Sequence, residues 1–256
     1  MTYIIAEGGV AHEGTLEGAK MLLNMATQID AHADCFKLQY FEKGMRGPNR
    51  ELPWLYPDEM VEIDLICQDN GIDFLVTPHD RWAMDIVYDL LKHRTVKIGS
   101  GDWHLLDKAQ EMFDEVIVST GMKTMPDMGQ LYNRPPHTVL HCVSEYPTPA
   151  SRTNLPMIGR LRAMFPKSRV GYSDHTVGTI ACIAAVTLGA EVIEKHITLE
   201  RNIKGRQDTF CSLIGNELGQ MIRDIRRLNA MMVSQPKGIT TEEQVTLDWV
   251  QDRLAD

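Results

Sequence analysis

The order of secondary-structure signals predicts an α/β protein, a single-domain (β/α)₈ TIM barrel with an extra C-terminal helix. Three observations lead there. The chain has 256 residues, near the length of one such barrel and enough for a full core. Eight short β-rich runs alternate with longer helical patterns from one end to the other. That alternation implies parallel strands joined by right-handed crossovers, and eight such units close naturally on themselves. An open doubly wound sheet is the competing architecture. Its dinucleotide-binding form lacks support, because no Gly-x-Gly-x-x-Gly follows the first strand to bring backbone against a pyrophosphate.

The strands are expected at 3–7 (YIIAE), 35–40 (CFKLQY), 73–77 (DFLVT), 95–99 (TVKIG), 115–119 (EVIVS), 138–143 (TVLHCV), 169–173 (RVGYS) and 192–198 (VIEKHIT). Between them, 16–31, 58–70 and 178–189 carry helix-spaced apolar residues, and Gly71 and Gly189 stand where helix C-caps belong. Residues 41–57 (FEKGMRGPNRELPWLYP), rich in Gly, Pro and charge, form a long loop on the catalytic rim if the barrel is right. After the last strand, 199–211 reads as a polar loop and 212–232 as a helix. Residues 240–254 read as a further amphipathic helix opened by a Thr-x-x-Glu-like cap. The barrel is therefore assigned to 1–232 and a helical tail to 233–256.

Hydrophobic residues make up 43% of the chain and charged residues 24%, with no apolar run long enough to span a membrane. The start, Met1 to Glu7, has no basic leader or cleavage site and reads as the first strand. Five cysteines form no Cys-x-x-Cys pair, which favours buried reduced thiols over a disulfide frame or zinc site, and a cytoplasmic location is expected. A net charge of −9 argues against nucleic-acid binding, which needs a concentrated basic surface. If the ligand is anionic, its cations must be local.

In a barrel of this kind the active site lies at the C-terminal ends of the strands. Polar residues crowd there: Glu7, Lys37 and Gln39; Thr77, His79 and Asp80; Lys97, Ser100 and Asp102; Ser119 and Thr120; His141, Ser144 and Tyr146; Ser173, Asp174 and His175; Glu194, Lys195 and His196. Strand alternation puts Lys37 and Gln39 on one face, and Glu194 and His196 on one face. Any one of them has an ordinary structural explanation: a strand lysine snorkels to the rim, and a lone histidine satisfies its bonds in the core. Together, two lysines, two carboxylates and two histidines on buried strands are costly without ligands or partners. His175, in GYSDHTVG, and His196, in VIEKHIT, form a candidate metal pair. With water and a carboxylate they would make an open site for Mn²⁺, Mg²⁺ or Zn²⁺. Ser100-Gly101-Asp102, Ser119-Thr120-Gly121-Met122 and Ser173-Asp174 each set a hydroxyl and small-residue backbone before a helix. There they serve either as N-caps or, with Lys37 and Lys97 on the same mouth, as an anion cradle.

These residues resemble the N-acetylneuraminate (sialic acid) synthase family. The likeness runs in order through residues 3–232 and includes AEGGVAHEG (6–14), FKLQ (36–39), TPHD (77–80), KIGSGD (97–102), STGM (119–122), LHCVSEYPTP (140–149), GYSDHTVG (171–178), TLGAEVIEKHITL (187–199) and DTFCSL (208–213). The resemblance implies a (β/α)₈ barrel that condenses phosphoenolpyruvate with an open-chain aldose, such as N-acetylmannosamine or a related sugar, releasing phosphate by C–O cleavage. Carried over by position, it implies that Lys37, Thr77, Lys97, Ser100, Ser119, Ser144 and Ser173 surround phosphoenolpyruvate. His175 and His196 would hold a divalent metal, Mn²⁺ first and Mg²⁺ or Co²⁺ as alternatives. Glu7 would sit beside the reacting carbons, while Gln39, Tyr146, Glu194 and Asp208 would contact the sugar. A homodimer is expected on the same ground.

Three departures from the family pattern bear on the sugar. Ala11-His12-Glu13-Gly14 stands where many relatives read Asn-His-x-Gly, and Gly205-Arg206-Gln207-Asp208 replaces a common Gly-Pro-Asp. Typical members also continue into a C-terminal antifreeze-like domain that supplies an arginine to the neighbour's sugar site. Here that contact is expected from another subunit or from Arg46, Arg50, Arg201 or Arg206, unless the acceptor differs. Two other readings remain: a Schiff-base pyruvate aldolase using Lys97 or Lys195, and a non-catalytic sugar-acid-binding subunit.

Overall fold

The computed structural model describes residues 1–28, 32–47 and 51–255. Its parallel strands are β1 (Tyr3–Gly9), β2 (Cys35–Tyr40), β3 (Asp73–Pro78), β4 (Thr95–Ile98), β5 (Glu115–Ser119), β6 (Thr138–Cys142), β7 (Arg169–Asp174) and β8 (Val192–His196). Hydrogen-bonded ladders run in the order β3-β2-β1-β8-β7-β6-β5-β4, and β3 lies beside β4, so the sheet comes round to a nearly closed barrel. The eight predicted strands are those observed, with differences at their ends. β1 runs on to Gly9, and β8 stops at His196 because Ile197 leaves the ladder to bridge Leu213.

The helices between strands are α1 (Leu16–Ala26), α2 (Pro57–Asp69), α3 (Arg81–Asp85, continuing as a π-helical turn), α4 (Leu106–Met112), α5 (Met125–Met128), α6 (Met157–Met164), α7 (Ile180–Thr187) and α8 (Asn216–Met231). Local chemistry sets their ends. Thr15 accepts from the Gly18 N–H at 3.1 Å to cap α1. Pro57 opens α2, while the Glu59 carboxylate accepts from the Tyr56 N–H at 2.7 Å. Gly71 and Gly189, at φ of +63° and +92°, follow α2 and α7 as predicted. The helix expected over 16–31 stops at Ala26, where the Thr27 N–H and hydroxyl both turn back to the Leu23 carbonyl. Residues 29–31 and Arg50 lie outside the described residues.

Alternation along the strands divides the interior in two. Outward residues such as Ile4, Phe36, Val76, Val118, Val139 and Ile193 pack under the helices in one continuous core. Each such side chain contributes roughly 1.5–3 kcal/mol by leaving water. Inward, Ile5, Cys35, Leu75, Ile117, Leu140 and Val192 form a separate apolar layer across the barrel axis. Gly171 of β7 makes room for it. A Cβ there would stand 2.3 Å from the Val192 carbonyl oxygen and 2.6 Å from Leu140. This layer is the floor on which the polar mouth rests.

The tail helix α9 (Thr241–Ala255) carries the predicted cap: Thr240 accepts from the Glu243 N–H at 3.1 Å and Glu243 from the Thr240 N–H at 2.9 Å. Leu247 and Val250 are half-buried, while Val245, Trp249 and Leu254 are exposed. The five cysteines are buried and free. No helix among the described residues is long and apolar enough to cross a membrane.

Candidate active site

One step above the apolar floor, the same inward face turns polar. Glu7, Lys37, Thr77, Lys97, Ser119, Ser173 and Glu194 all surround one cavity of about 340 Å³ at the C-terminal strand ends. The β1–β2 ladder skips a residue after Glu7, with Gly9 at φ +56°, a bulge at the rim. A larger cavity, about 670 Å³, opens at the other end of the barrel around Tyr3, Asp73 and Arg169. It is lined by none of Lys37, Lys97, His175 and His196, and it lies at the end of the barrel opposite to where active sites of this fold are built.

Four buried charges organise the mouth. Lys37 Nζ lies 2.6 Å from Glu7 Oε2 and 3.7 Å from Glu194 Oε2, and donates to Thr77 Oγ1 at 3.0 Å. Lys97 Nζ approaches the same Glu194 oxygen at 3.5 Å, while Ser173 donates to Glu194 Oε1 at 2.8 Å. Gln39 donates to Glu7 Oε1 at 3.4 Å. The two carboxyls are driven apart. Burial raises Glu7 above the usual carboxylate range and outweighs Lys37. Burial would raise Glu194 as well, but Lys37 and Lys97 together hold it well below that range. One acid is thus prepared to carry a proton and the other to stay charged. Burial also lowers Lys97, with Glu194 opposing. Lys37 is raised because Glu194 and Glu7 overcome its burial.

The imidazoles of His175 and His196 lie 5.3 Å apart, with the Tyr146 ring 4.0 Å from His175. His175 Nδ1 is 2.7 Å from the Val143 carbonyl oxygen. A carbonyl only accepts, so Nδ1 carries a proton, and in the neutral ring Nε2 keeps its lone pair. Burial, then His175, pushes His196 well below the ordinary histidine range, which leaves it a neutral base. His175 is raised, because Cys142 and the Val143 carbonyl overcome its burial, so a divalent ion of borderline character would bind beside the neutral His196 by displacing the Nε2 proton of His175. Among the described residues no group of three or more His, Cys, Asp and Glu has metal-binding geometry. The remaining positions would fall to water or substrate oxygen, as in an open catalytic site.

In the turns read as either N-caps or an anion cradle, some of the N–H groups are already used. Gly121 N–H donates to Ser100 Oγ at 2.9 Å, and Thr176 N–H to Asp174 at 2.9 Å. Gly121 is required where it stands, because a Cβ would be 2.2 Å from Ser144 Oγ and 2.8 Å from Ser100 Oγ. Its absence lets the two hydroxyls converge. Ser119 Oγ is buried without a partner among the described residues, an acceptor and donor left for a ligand.

Several expectations need correction. Lys195 faces away from the cavity, its ammonium 2.7 Å from Asp174 and 2.5 Å from the Thr176 carbonyl, because it alternates with Glu194 and His196. His141 likewise points outward, bonded to the Thr153 carbonyl oxygen at 2.7 Å and stacked on Tyr172. Gln207 lines the cavity where Asp208 was expected. Asp208 flanks it, its carboxyl raised by burial against the pull of His175 and His79. Arg46 lies in a bridge with Glu51, and Arg201 pairs with Glu217. Arg206 is buried, held by Glu13 at 2.9 Å, with Nη1 unpartnered among the described residues. Cys142 and Gln207 are lining residues to which sequence reasoning gave no role in the site. Alternation with Leu140 could have found Cys142, whereas nothing local marks Gln207.

A parallel barrel whose mouth joins two buried lysines, two carboxylates of opposed acidity and two imidazoles defines a (β/α)₈ protein with an enzyme-like centre. The chain belongs to the NeuB family, whose model matches residues 49–237. It is 34% identical over 285 residues to N,N'-diacetyllegionaminic acid synthase of Campylobacter jejuni, covering 99% of this chain and 84% of that one. It is 31% identical to N-acetylneuraminate-9-phosphate synthase of Homo sapiens, covering 92% and 72%. A crystal structure of N-acetylneuraminic acid (sialic acid) synthetase from Leptospira borgpetersenii, in complex with citrate, matches with a TM-score of 0.84. That match has 27% identity and covers 97% of this chain and 90% of that one.

Proposed function

We propose that this protein is a sugar-acid synthase that condenses phosphoenolpyruvate with an open-chain acylamino aldose, with a divalent metal, Mn²⁺ first, at His175 and His196. The observation that carries the reading is the convergence of Lys37 and Lys97 beneath the imidazole pair in one cavity. Lys37 and Lys97 neutralise the phosphate and carboxylate, and Ser100, Ser119, Ser144, Ser173 and Thr77 supply hydroxyls around them. C3 of phosphoenolpyruvate bonds to the aldehyde carbon, whose oxygen takes a proton. Water adds at C2, and phosphate departs with its bridging oxygen. The metal, when bound, polarises the aldehyde. Glu7, with its raised affinity for a proton, holds and moves protons at the reacting carbons. Gln39, Tyr146, Glu194 and Gln207 bind the sugar, with Asp208 and Arg206 flanking that side.

The test is phosphate release by purified protein with phosphoenolpyruvate, Mn²⁺ and a panel of aldoses. Untouched phosphoenolpyruvate with every acceptor, under conditions where it and the metal are seen to bind, refutes the proposal. The depressed Lys97 favours one second reading, an aldolase forming a Schiff base with pyruvate. Borohydride trapping of pyruvate on Lys97 would support it, and no mass increase would eliminate it.

A further inference from the structure

Behind the barrel wall, Lys195 and Asp174 form an ion pair of 2.7 Å with both side chains at 0% exposure. Its surroundings are saturated. Asp174 Oδ1 accepts from the Tyr172 hydroxyl at 3.0 Å and the Thr176 N–H at 2.9 Å. Oδ2 accepts from the Thr176 hydroxyl and the Cys182 thiol, both at 3.2 Å. Lys195 closes the loop by donating to the Thr176 carbonyl at 2.5 Å. None of these groups lines the cavity.

Their places in the chain are informative. Asp174 immediately precedes His175, Lys195 immediately precedes His196, and the β7–β8 ladder pairs Asp174 with Lys195 directly. Neighbouring strand residues face opposite sides, so one ion pair stands at the root of both imidazoles. A buried ion pair gives little net stability over an apolar pair of equal volume, because desolvation offsets its attraction. What it adds is direction. The bonds to Asp174 and Thr176 fix the backbone on both sides of His175 against the strand that carries His196.

We propose that Lys195 and Asp174 are positioning residues that set the separation and orientation of His175 and His196 for a divalent cation. This rests on the metal reading above. The test uses Lys195→Met/Asp174→Asn, which removes both charges at similar volume, and Tyr172→Phe, which removes one donor to Asp174. Mn²⁺ binding is read from the EPR signal of the free ion, Co²⁺ geometry from its visible spectrum, and folding from circular dichroism.

The double variant is expected to fold, to bind Mn²⁺ about 10–100-fold more weakly with an altered Co²⁺ spectrum, and to keep its metal-free affinity for phosphoenolpyruvate. Tyr172→Phe should weaken Mn²⁺ by about threefold, the smaller effect of one lost outer bond. A folded double variant with unchanged Mn²⁺ affinity and Co²⁺ spectrum overturns the proposal. If that variant does not fold, unchanged Mn²⁺ affinity in Tyr172→Phe overturns it. Failure of the unmodified protein to bind Mn²⁺, Mg²⁺ or Co²⁺ sinks the metal reading and this inference together, whereas normal binding in the variants sinks only the inference.

Discussion

Replacing Lys37 with Met should separate the electrostatics of the mouth from its chemistry. The ammonium lies 2.6 Å from the fully buried Glu7 carboxylate, a Coulomb attraction of about 6 kcal/mol at an effective dielectric constant of 20. Desolvation consumes part of that, and breaking a buried pair from one side costs about 3–5 kcal/mol. The stranded carboxylate has a way out: it can protonate. From its usual value of 4.5, doing so costs at most about 3 kcal/mol at pH 7 and about 1 kcal/mol at pH 5. The sign follows from proton counts. Burial already raises Glu7 in the wild type, and loss of Lys37 removes a cation that opposes it, so the variant keeps its proton to higher pH than the wild type and the Glu7 part of the deficit grows with pH. Urea unfolding of the wild type, Lys37→Met and Lys37→Met/Glu7→Gln at pH 5 and 7 measures it. The double variant should recover at least about 2 kcal/mol of the single variant's loss at pH 7. Both variants should lose phosphate release from phosphoenolpyruvate. A single variant destabilised by under about 1 kcal/mol, or a double variant no more stable than the single, would refute the described pairing.

Other perturbations probe separate parts of the molecule. His196→Asn should weaken Mn²⁺ binding and phosphate release by about 100-fold while leaving phosphoenolpyruvate binding intact in titration calorimetry; normal Mn²⁺ affinity would count against the metal pair. Burial, with Arg206 beside it, lowers His12 from 6.5 to about 4. The unfolded chain therefore binds more protons between those values, and stability is lost as pH falls through that window. The wild type should lose about 2 kcal/mol more than His12→Asn between pH 7 and 5, and equal losses would contradict the burial of His12. Gly171→Ala should cost about 1–3 kcal/mol through its clash with Val192 and Leu140, read as a lowered melting temperature; a neutral effect would mean that β7 and β8 do not meet as described.

Much of this architecture was legible in the residues. Strands β1 to β8 announce themselves because parallel strands covered on both faces need continuous apolar runs, and Gly71 and Gly189 end helices at positive φ. α1 ends at Ala26, where the Leu23 carbonyl takes the Thr27 hydroxyl as well as its N–H, a local bond the apolar period does not show. For α9 periodicity states which residues align, while burial requires something to align against, so the exposure of Val245, Trp249 and Leu254 is not legible in it.

Alternation alone fixed that Lys37 shares a face with Gln39 and Glu194 with His196, since side chains reverse at every strand residue. It also contained the reason Lys195 and His141 turn outward. Three-dimensional closure decided the rest. Only when the eight strand ends meet does Lys37 come between Glu7 and Glu194, so that the same residue type, glutamate, is raised at one position and held ionised at the other. Charge interactions fall with distance and rise with burial, and neither quantity exists until the barrel brings β1, β2, β4 and β8 to one mouth.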